Sequence, residues 1–164
     1  KKKKKLDLAI TIGAAATSRL APEPPAAYAL LLYASPEYVA SHPPIRSVAD
    51  LDAHPLVFYV DALLTVRELD LAPVLGGMRV GFGSTSVFAQ LEATRRGAGI
   101  GLLHAFMAED EPGLVAVLPD EVSFRLEFAL SVRKEAADVE AVQLVRAALH
   151  REVSRRSAEL LPLT

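Results

Sequence analysis

A chain of 164 residues that is 51% hydrophobic and 23% charged has the make-up of one ordinary packed domain, not of a disordered tail. Only 6% of its residues are aromatic and none is Trp, so the core must be mainly aliphatic; with no Cys, disulfides, thiolate zinc sites and iron–sulfur clusters are excluded. The net charge of −2 hides an asymmetry: Lys1 to Lys5 are five of the 18 basic residues, so the remainder sets 13 basic residues against 20 acidic ones, a poor match for a nucleic-acid polyanion.

The lysine run, residues 1–5, reads as a tag, a scar or a placeholder, with a natural basic arm as the alternative. Lys1 to Lys5 followed by Leu8–Ile12 and Ala14-Ala15-Ala16 loosely resembles a secretory leader. Against that, Leu6, Leu8, Ile10 and Ile12 alternate with Asp7, Ala9 and Thr11, which is the period of a strand. No uninterrupted apolar run approaches the ~20 residues of a membrane-spanning helix.

Gly13 to Pro25, with three prolines, reads as a connecting loop. Tyr28 to Tyr33 is a continuous apolar run, the form of a strand covered on both faces. Ser35-Pro36-Glu37 supplies an N-cap, a first-turn proline and a first-turn acid, predicting a short helix that ends before Pro43. Ser47 with Asp50 predicts a second capped start, and Leu56 to Val60 a buried strand. The signal between Asp61 and Gly77 is weak. Arg79 to Phe82 predicts a strand; Ser84, Thr85 and Ser86 then precede a helix whose Val87, Phe88 and Leu91 share one side and which Gly97 can end. Ile100–Leu103 and Leu114–Leu118 are short strands, and Phe124 to Val132 is the clearest strand, alternating at period two. The clearest helix starts near Asp138, with Val142, Val145, Leu149 and Val153 as its apolar stripe. This alternation predicts an α/β domain with a largely parallel sheet, helices on its faces and ligands at the carboxyl ends of strands.

His42, His54, His104 and His150 have none of the spacings with which a helix grips zinc, so no metal site is expected. His104, ending a strand beside glycines, is either a boundary residue with a hydrogen-bonded ring or a ligand contact. Ser84, Thr85 and Ser86 follow Gly81 and Gly83 without a nucleophile elbow, a dinucleotide fingerprint or a P-loop lysine. They either cap the helix or, with free N–H groups, hold a small anion such as a carboxylate. Gly97-Ala98-Gly99-Ile100-Gly101 reads as a helix stop feeding a strand in which close packing excludes side chains. Glu109-Asp110-Glu111 reads as a solvated turn, and Asp61, just past its strand, as a ligand contact or a turn cap.

Five segments in order resemble the carboxyl-terminal half of LysR-type transcriptional regulators. They are Leu6-Asp7-Leu8-Ala9-Ile10, like "DLAI"; Tyr33 to Ala40, like "ASPxYLA"; Val48-Ala49-Asp50-Leu51 with His54-Pro55-Leu56, like "ADLxxHPL"; Ser84-Thr85-Ser86 followed by Arg96 to Leu103, like "GxGIxxLP"; and Leu114 to Pro119. The resemblance runs from residue 6 to about 153.

It implies an effector-binding domain with a periplasmic-binding-protein-like (type 2) two-lobe α/β fold, the first lobe incomplete. Residues 28–114 would form lobe II, and residues 6–27 and 115–164 what remains of lobe I. It also implies a cytoplasmic, homo-oligomeric regulator that touches DNA only through a winged helix-turn-helix domain outside this chain, and no membrane. The expected effector is a small molecule, with a carboxylate as one candidate class; no cofactor and no catalysis are expected. Thr11, Gly13, Asp61, Ser84, Thr85, Ser86 and His104 are the candidate ligand contacts. His104 departs from the family's usual Pro, and a domain lacking strands would expose apolar sheet and self-associate. Two alternatives stay open: an exported solute-binding protein of the same architecture, and a small hydrolase using Ser84 or Ser86 with His104.

Overall fold

A computed structural model describes residues 7–13, 20–60, 75 and 77–161. The lysine run and Asp61 lie outside them. Among the described residues one sheet is built from β1 (Leu8–Ile12), β2 (Leu20–Pro22), β3 (Ala26–Ala34), β4 (Pro55–Phe58), β5 (Arg79–Gly83), β6 (Ile100–His104), β7 (Val115–Val117) and β8 (Ser123–Arg133). Its order is β1-β8-β3-β6-β4-β5, with β2 beside β8 and β7 beside β3. Among the described residues the helices are α1 (Pro36–Ser41), α2 (Val87–Arg95), α3 (Ala105–Ala108), α4 (Glu140–Arg155) and α5 (Ser157–Leu160), with 3₁₀ turns at Val48–Ala53 and Lys134–Ala136.

The sheet is mixed, which corrects the expectation of a largely parallel one. Among the described residues only β4 pairs in parallel, with β5 and β6; β3 runs antiparallel to β6, β7 and β8, and β8 antiparallel to β1 and β2. Parallel strands need a crossover, such as α2, which carries the chain from β5 to β6 on the other side of β4, whereas the long β3 and β8 run against one another across the molecule. β8 changes partners along its length: Ser123 to Phe128 pair with β3, and Phe128 to Val132 with β1. The stretch expected to be loop contains β2, which pairs with β8 and is followed by the bond from the Glu23 N–H to the Leu130 carbonyl. A strand three residues long can include a proline when only one of its sides is paired.

β3 is the centre of the core. Tyr28 through Ala34 are all buried, as the continuous apolar run requires. Alternation sends Tyr28, Leu30 and Leu32 into one apolar cluster with Leu56, Ile100, Leu102 and Leu126, and Ala29, Leu31 and Tyr33 into a second with Leu103, Ala105 and Ala108. The two predicted caps form. Ser35 Oγ accepts the Tyr38 N–H at 3.1 Å, and the Asp50 carboxylate accepts from the Arg46 and Ser47 N–H groups at 2.9 and 2.8 Å. These hydrogen bonds, Arg46's first, hold the Asp50 carboxyl below the usual carboxylate range.

Three sequence expectations change. The buried positions of α2 are Gln90 and Thr94, while Phe88 is 73% exposed. The polar pair can be buried because the Gln90 amide donates to the Ser84 carbonyl at 2.7 Å and the Thr94 hydroxyl to the Gln90 carbonyl at 2.8 Å. α4 buries none of its residues despite its apolar stripe, and Val145 is 51% exposed. The acidic turn is tied at both ends: Glu109 accepts the Tyr33 hydroxyl at 2.8 Å and Glu111 pairs with Arg95 at 3.2 Å. Burial first, and then the Glu109 carboxylate, push the Tyr33 phenol well above its ordinary value.

Candidate functional site

Phe128 stands where β8 passes from one partner to the next, opposite Ala26 on β3 and Ile12 on β1. Strand alternation puts Ile10, Ile12, Ala26, Tyr28, Phe128 and Leu130 on one face of this crossing. Aromatic rings assemble there. Tyr28 stacks on Phe128 at 4.1 Å and on His104 at 5.4 Å, and Phe106 meets Tyr28 edge-on at 6.1 Å. His104 pairs with Leu30 at the end of β6, only 7% exposed, and burial pulls its imidazole down to about 4. At neutral pH it is therefore an uncharged ring with one donor and one acceptor nitrogen.

Helices α4 and α5 lie over the same face and leave a groove of about 360 Å³. Its floor is Ile10, Ala26, Phe106 and Phe128, its roof Val153 and Leu160, and its rim Glu152, Arg156 and Glu159. A narrower recess of about 70 Å³ continues from it toward Leu149 and His150. The roof is anchored at one end by Glu23, only 12% exposed in its side chain, which binds Arg146 Nε at 3.0 Å and His150 Nε2 at 3.1 Å. At the other end Leu160 packs against the core.

The candidate residues fall in three places. The Thr11 hydroxyl donates to the Gly13 carbonyl at 3.1 Å; Gly13 adopts φ 72°, and its N–H donates to the Glu127 carbonyl. Thr11 belongs to the face of β1 opposite Ile10 and Ile12, away from the groove. Ser84, Thr85 and Ser86 follow β5 at the far end of the sheet order. There the Ser86 hydroxyl caps α2 through the Ala89 N–H at 3.4 Å and Ser84 Oγ accepts the Ser86 N–H at 3.1 Å, leaving Thr85 exposed. Capping is thus present, with the Thr85 hydroxyl outside it. His104 lies between the two groups in sheet order, against the aromatic wall; no hydrogen bond joins it to Ser84 or Ser86 among the described residues, so the serine–histidine contact a hydrolase needs is not formed. Asp61 is outside the described residues.

The sequence left several members unseen. Phe128 and Tyr28 were legible only as strand residues, although their shared parity of position is the signal that puts them on one face. Glu23, Arg146 and His150 carry no local signal, since more than a hundred residues separate the partners. His54 is buried with Nδ1 2.8 Å from the Tyr38 hydroxyl, and His42 stacks on Tyr38 at 3.8 Å. Desolvation, and then His42, lower the His54 pKa. Among the described residues no group of three His, Cys, Asp or Glu is placed to hold a metal ion, and no helix is long and apolar enough to cross a membrane.

The family model described as LysR substrate binding domain matches residues 2–154. Among solved structures, the regulatory domain of CrgA, a LysR-type transcriptional regulator from Neisseria meningitidis, superposes with a TM-score of 0.74 at 22% identity, over 90% of this chain and 76% of that one. The effector domain of the transcriptional regulator AmpR of Pseudomonas aeruginosa gives 0.69 at 24% identity, over 93% and 73%. The full-length Vibrio cholerae virulence activator AphB gives 0.66 at 25% identity, over 84% of this chain and 49% of that one. The chain thus spans about half the length of the full-length regulators it matches. No curated protein matches it.

Proposed function

The chain belongs to the LysR substrate binding domain family and has the type 2 periplasmic-binding-protein-like fold of LysR-type effector-binding domains; from that premise we propose that it senses a small molecule and relays its presence to a DNA-binding head of the same regulator. Residues 28–114 act as lobe II, and residues 6–27 with 115–164 contribute to lobe I. The observation that carries this reading is the partner exchange of β8 at Phe128: one continuous strand is hydrogen-bonded to both halves, so a ligand held between them biases their relative placement.

Such domains bind without transforming, and this one has the same task. It works in the cytoplasm as a homo-oligomer, with DNA contacted by the winged helix-turn-helix domain of the whole regulator. The effector is a small carboxylate. The exposed Thr85 hydroxyl beside the capped start of α2 meets the anion, with Ser84 and Ser86 shaping that helix start; Asp61, Thr11, Gly13 and neutral His104 are the further candidate contacts, to be tested one by one.

The test is a panel of small carboxylates titrated against the chain while its unfolding temperature is followed. A bound effector at a hundred times its Kd stabilises by about 2.7 kcal/mol. Thr85→Ala should leave the unliganded protein as stable as before and weaken that response. Unchanged affinity in Thr85→Ala would remove the anion contact, and absence of any stabilising carboxylate would remove the ligand class.

A further inference from the structure

The groove under α4 and α5 is separate from the carboxylate contacts just assigned: none of Thr11, Gly13, Ser84, Thr85, Ser86 or His104 lines it. It lies between two anchors of the C-terminal helices, one in the middle of α4 and one in α5. Glu23 fixes Arg146 and His150, Leu160 packs into the core, and between these anchors the helix buries none of its residues. Apolar side chains line the space from both sides, Ile10, Ala26 and Phe128 from the sheet and Val153 from the helix. Aliphatic and aromatic surface around an unfilled volume is what an apolar ligand displaces water from.

The rim sets the charge of the occupant. Arg156 contacts Glu159 at 2.6 Å and Glu152 at 3.9 Å, and Glu152 also pairs with Arg155. Every charge at the mouth is already answered by a neighbour, so an ionic ligand would be desolvated there without a counter-ion of its own. Size narrows the class further. A dry cavity of about 150 Å³ accommodates benzene, and the groove has a little more than twice that volume at about 360 Å³. A folded partner needs about 800 Å² of its surface covered for a stable interface, more than a roofed slot between a helix and a sheet offers.

We propose that this groove is a second binding site, for an uncharged and largely apolar small molecule of two to three aromatic rings. The site does not rest on the carboxylate reading. Its occupant would fill the space between β8 and α4 and so tighten the C-terminal helices onto the strand that both halves share.

The experiment uses the neutral dye N-phenylnaphthylamine, whose fluorescence rises in apolar surroundings, titrated into the full chain. One saturable site is expected. Ala26→Leu fills the groove from the floor and Val153→Phe from the roof, where the residue is 36% exposed and a misfolding response is least expected. Each should weaken dye binding about tenfold or more, while Phe88→Ala, which removes an exposed ring on α2, leaves it unchanged. Thr85→Ala should also leave it unchanged, which separates this site from the carboxylate contact. The proposal fails if binding does not saturate, if neither filling substitution weakens it, or if the sulfonated analogue anilinonaphthalene sulfonate binds more tightly than the neutral dye. It fails equally if light scattering shows that both filling variants dissociate a dimer, since a second copy of the chain would then be the occupant.

Discussion

Gly99 joins the end of α2 to β6 at φ +152°, and a Cβ placed on it would lie 2.2 Å from the Pro55 carbonyl oxygen and 3.1 Å from Pro55 Cγ. Gly99→Ala therefore meets two costs. The backbone region is one that side-chain-bearing residues rarely occupy, which costs about 1–3 kcal/mol. The overlap is with a backbone atom of β4, which cannot rotate away, and relieving it by moving strands costs about 1–3 kcal/mol more. Gly97→Ala is the internal control. It too has positive φ, +77°, but its Cβ would meet nothing closer than Ser35 Oγ at 3.7 Å, an ordinary contact. Only the left-handed penalty of about 1–2 kcal/mol remains there. With a urea dependence of about 2 kcal/mol per molar, Gly97→Ala should lower the unfolding midpoint by roughly 0.5–1 M and Gly99→Ala by roughly 1–3 M, both followed by far-UV circular dichroism at one protein concentration. A Gly99→Ala protein within ~0.5 kcal/mol of the parent, or a Gly97→Ala protein that loses more, would refute the close-approach reasoning.

Further expectations follow from other parts of the structure. Because burial lowers the His104 pKa from 6.5 to about 4, the unfolded chain binds a proton that the folded one refuses. Stability is thus fully present above pH 6.5 and falls as the pH drops toward 4, by at most about 3 kcal/mol; His104→Gln should flatten that slope in pH-dependent denaturant melts, and an unaltered slope would show that the ring is solvated. Ser35→Ala should cost about 1–2 kcal/mol and Ser86→Ala less than 1 kcal/mol, since Ser35 is buried and Ser86 is exposed with a longer bond; thermal melts showing the reverse order would contradict the cap geometry. Glu23→Gln should loosen α4, raising amide exchange across Glu140–Arg155 while β3 stays protected; exchange confined to its parent rate would mean that Arg146 and His150 are not what hold the helix.

The features legible in the sequence were those decided within a few residues. Ser35-Pro36-Glu37 specifies a helix start through one hydroxyl and one proline, and Gly97 a helix end through a single backbone angle, so both could be read without knowing their surroundings. The alternation of β8 was legible for the same reason, but its exchange of partners was not, because a period of two says which face a residue takes and nothing about which strand lies beside it. The predicted Leu114–Leu118 strand contracts to β7 because Leu118 turns to φ 49°, a local reversal that no apolar pattern announces. Phe88 shows that an apolar residue on a helix need not be a buried one; Gln90 and Thr94 go inside instead, their polar atoms satisfied by carbonyls of the same segment. Of the candidate site, Ser86 was legible as a cap, whereas the wall formed by Tyr28, His104, Phe106 and Phe128 draws on four separate elements and exists only after the strands have been assembled into the sheet.

The unbroken course of β8 also limits how the molecule can move. Its 11 residues make a rod ~36 Å long, laced on one flank to β1 and on the other to β2 and β3. A rod fastened in this way yields more readily to torsion than to folding, because a sharp bend would tear ladder bonds around Phe128 whereas added twist only redistributes an angle that every sheet already carries. Motion of one half against the other should therefore be a swivel about the long axis of this strand.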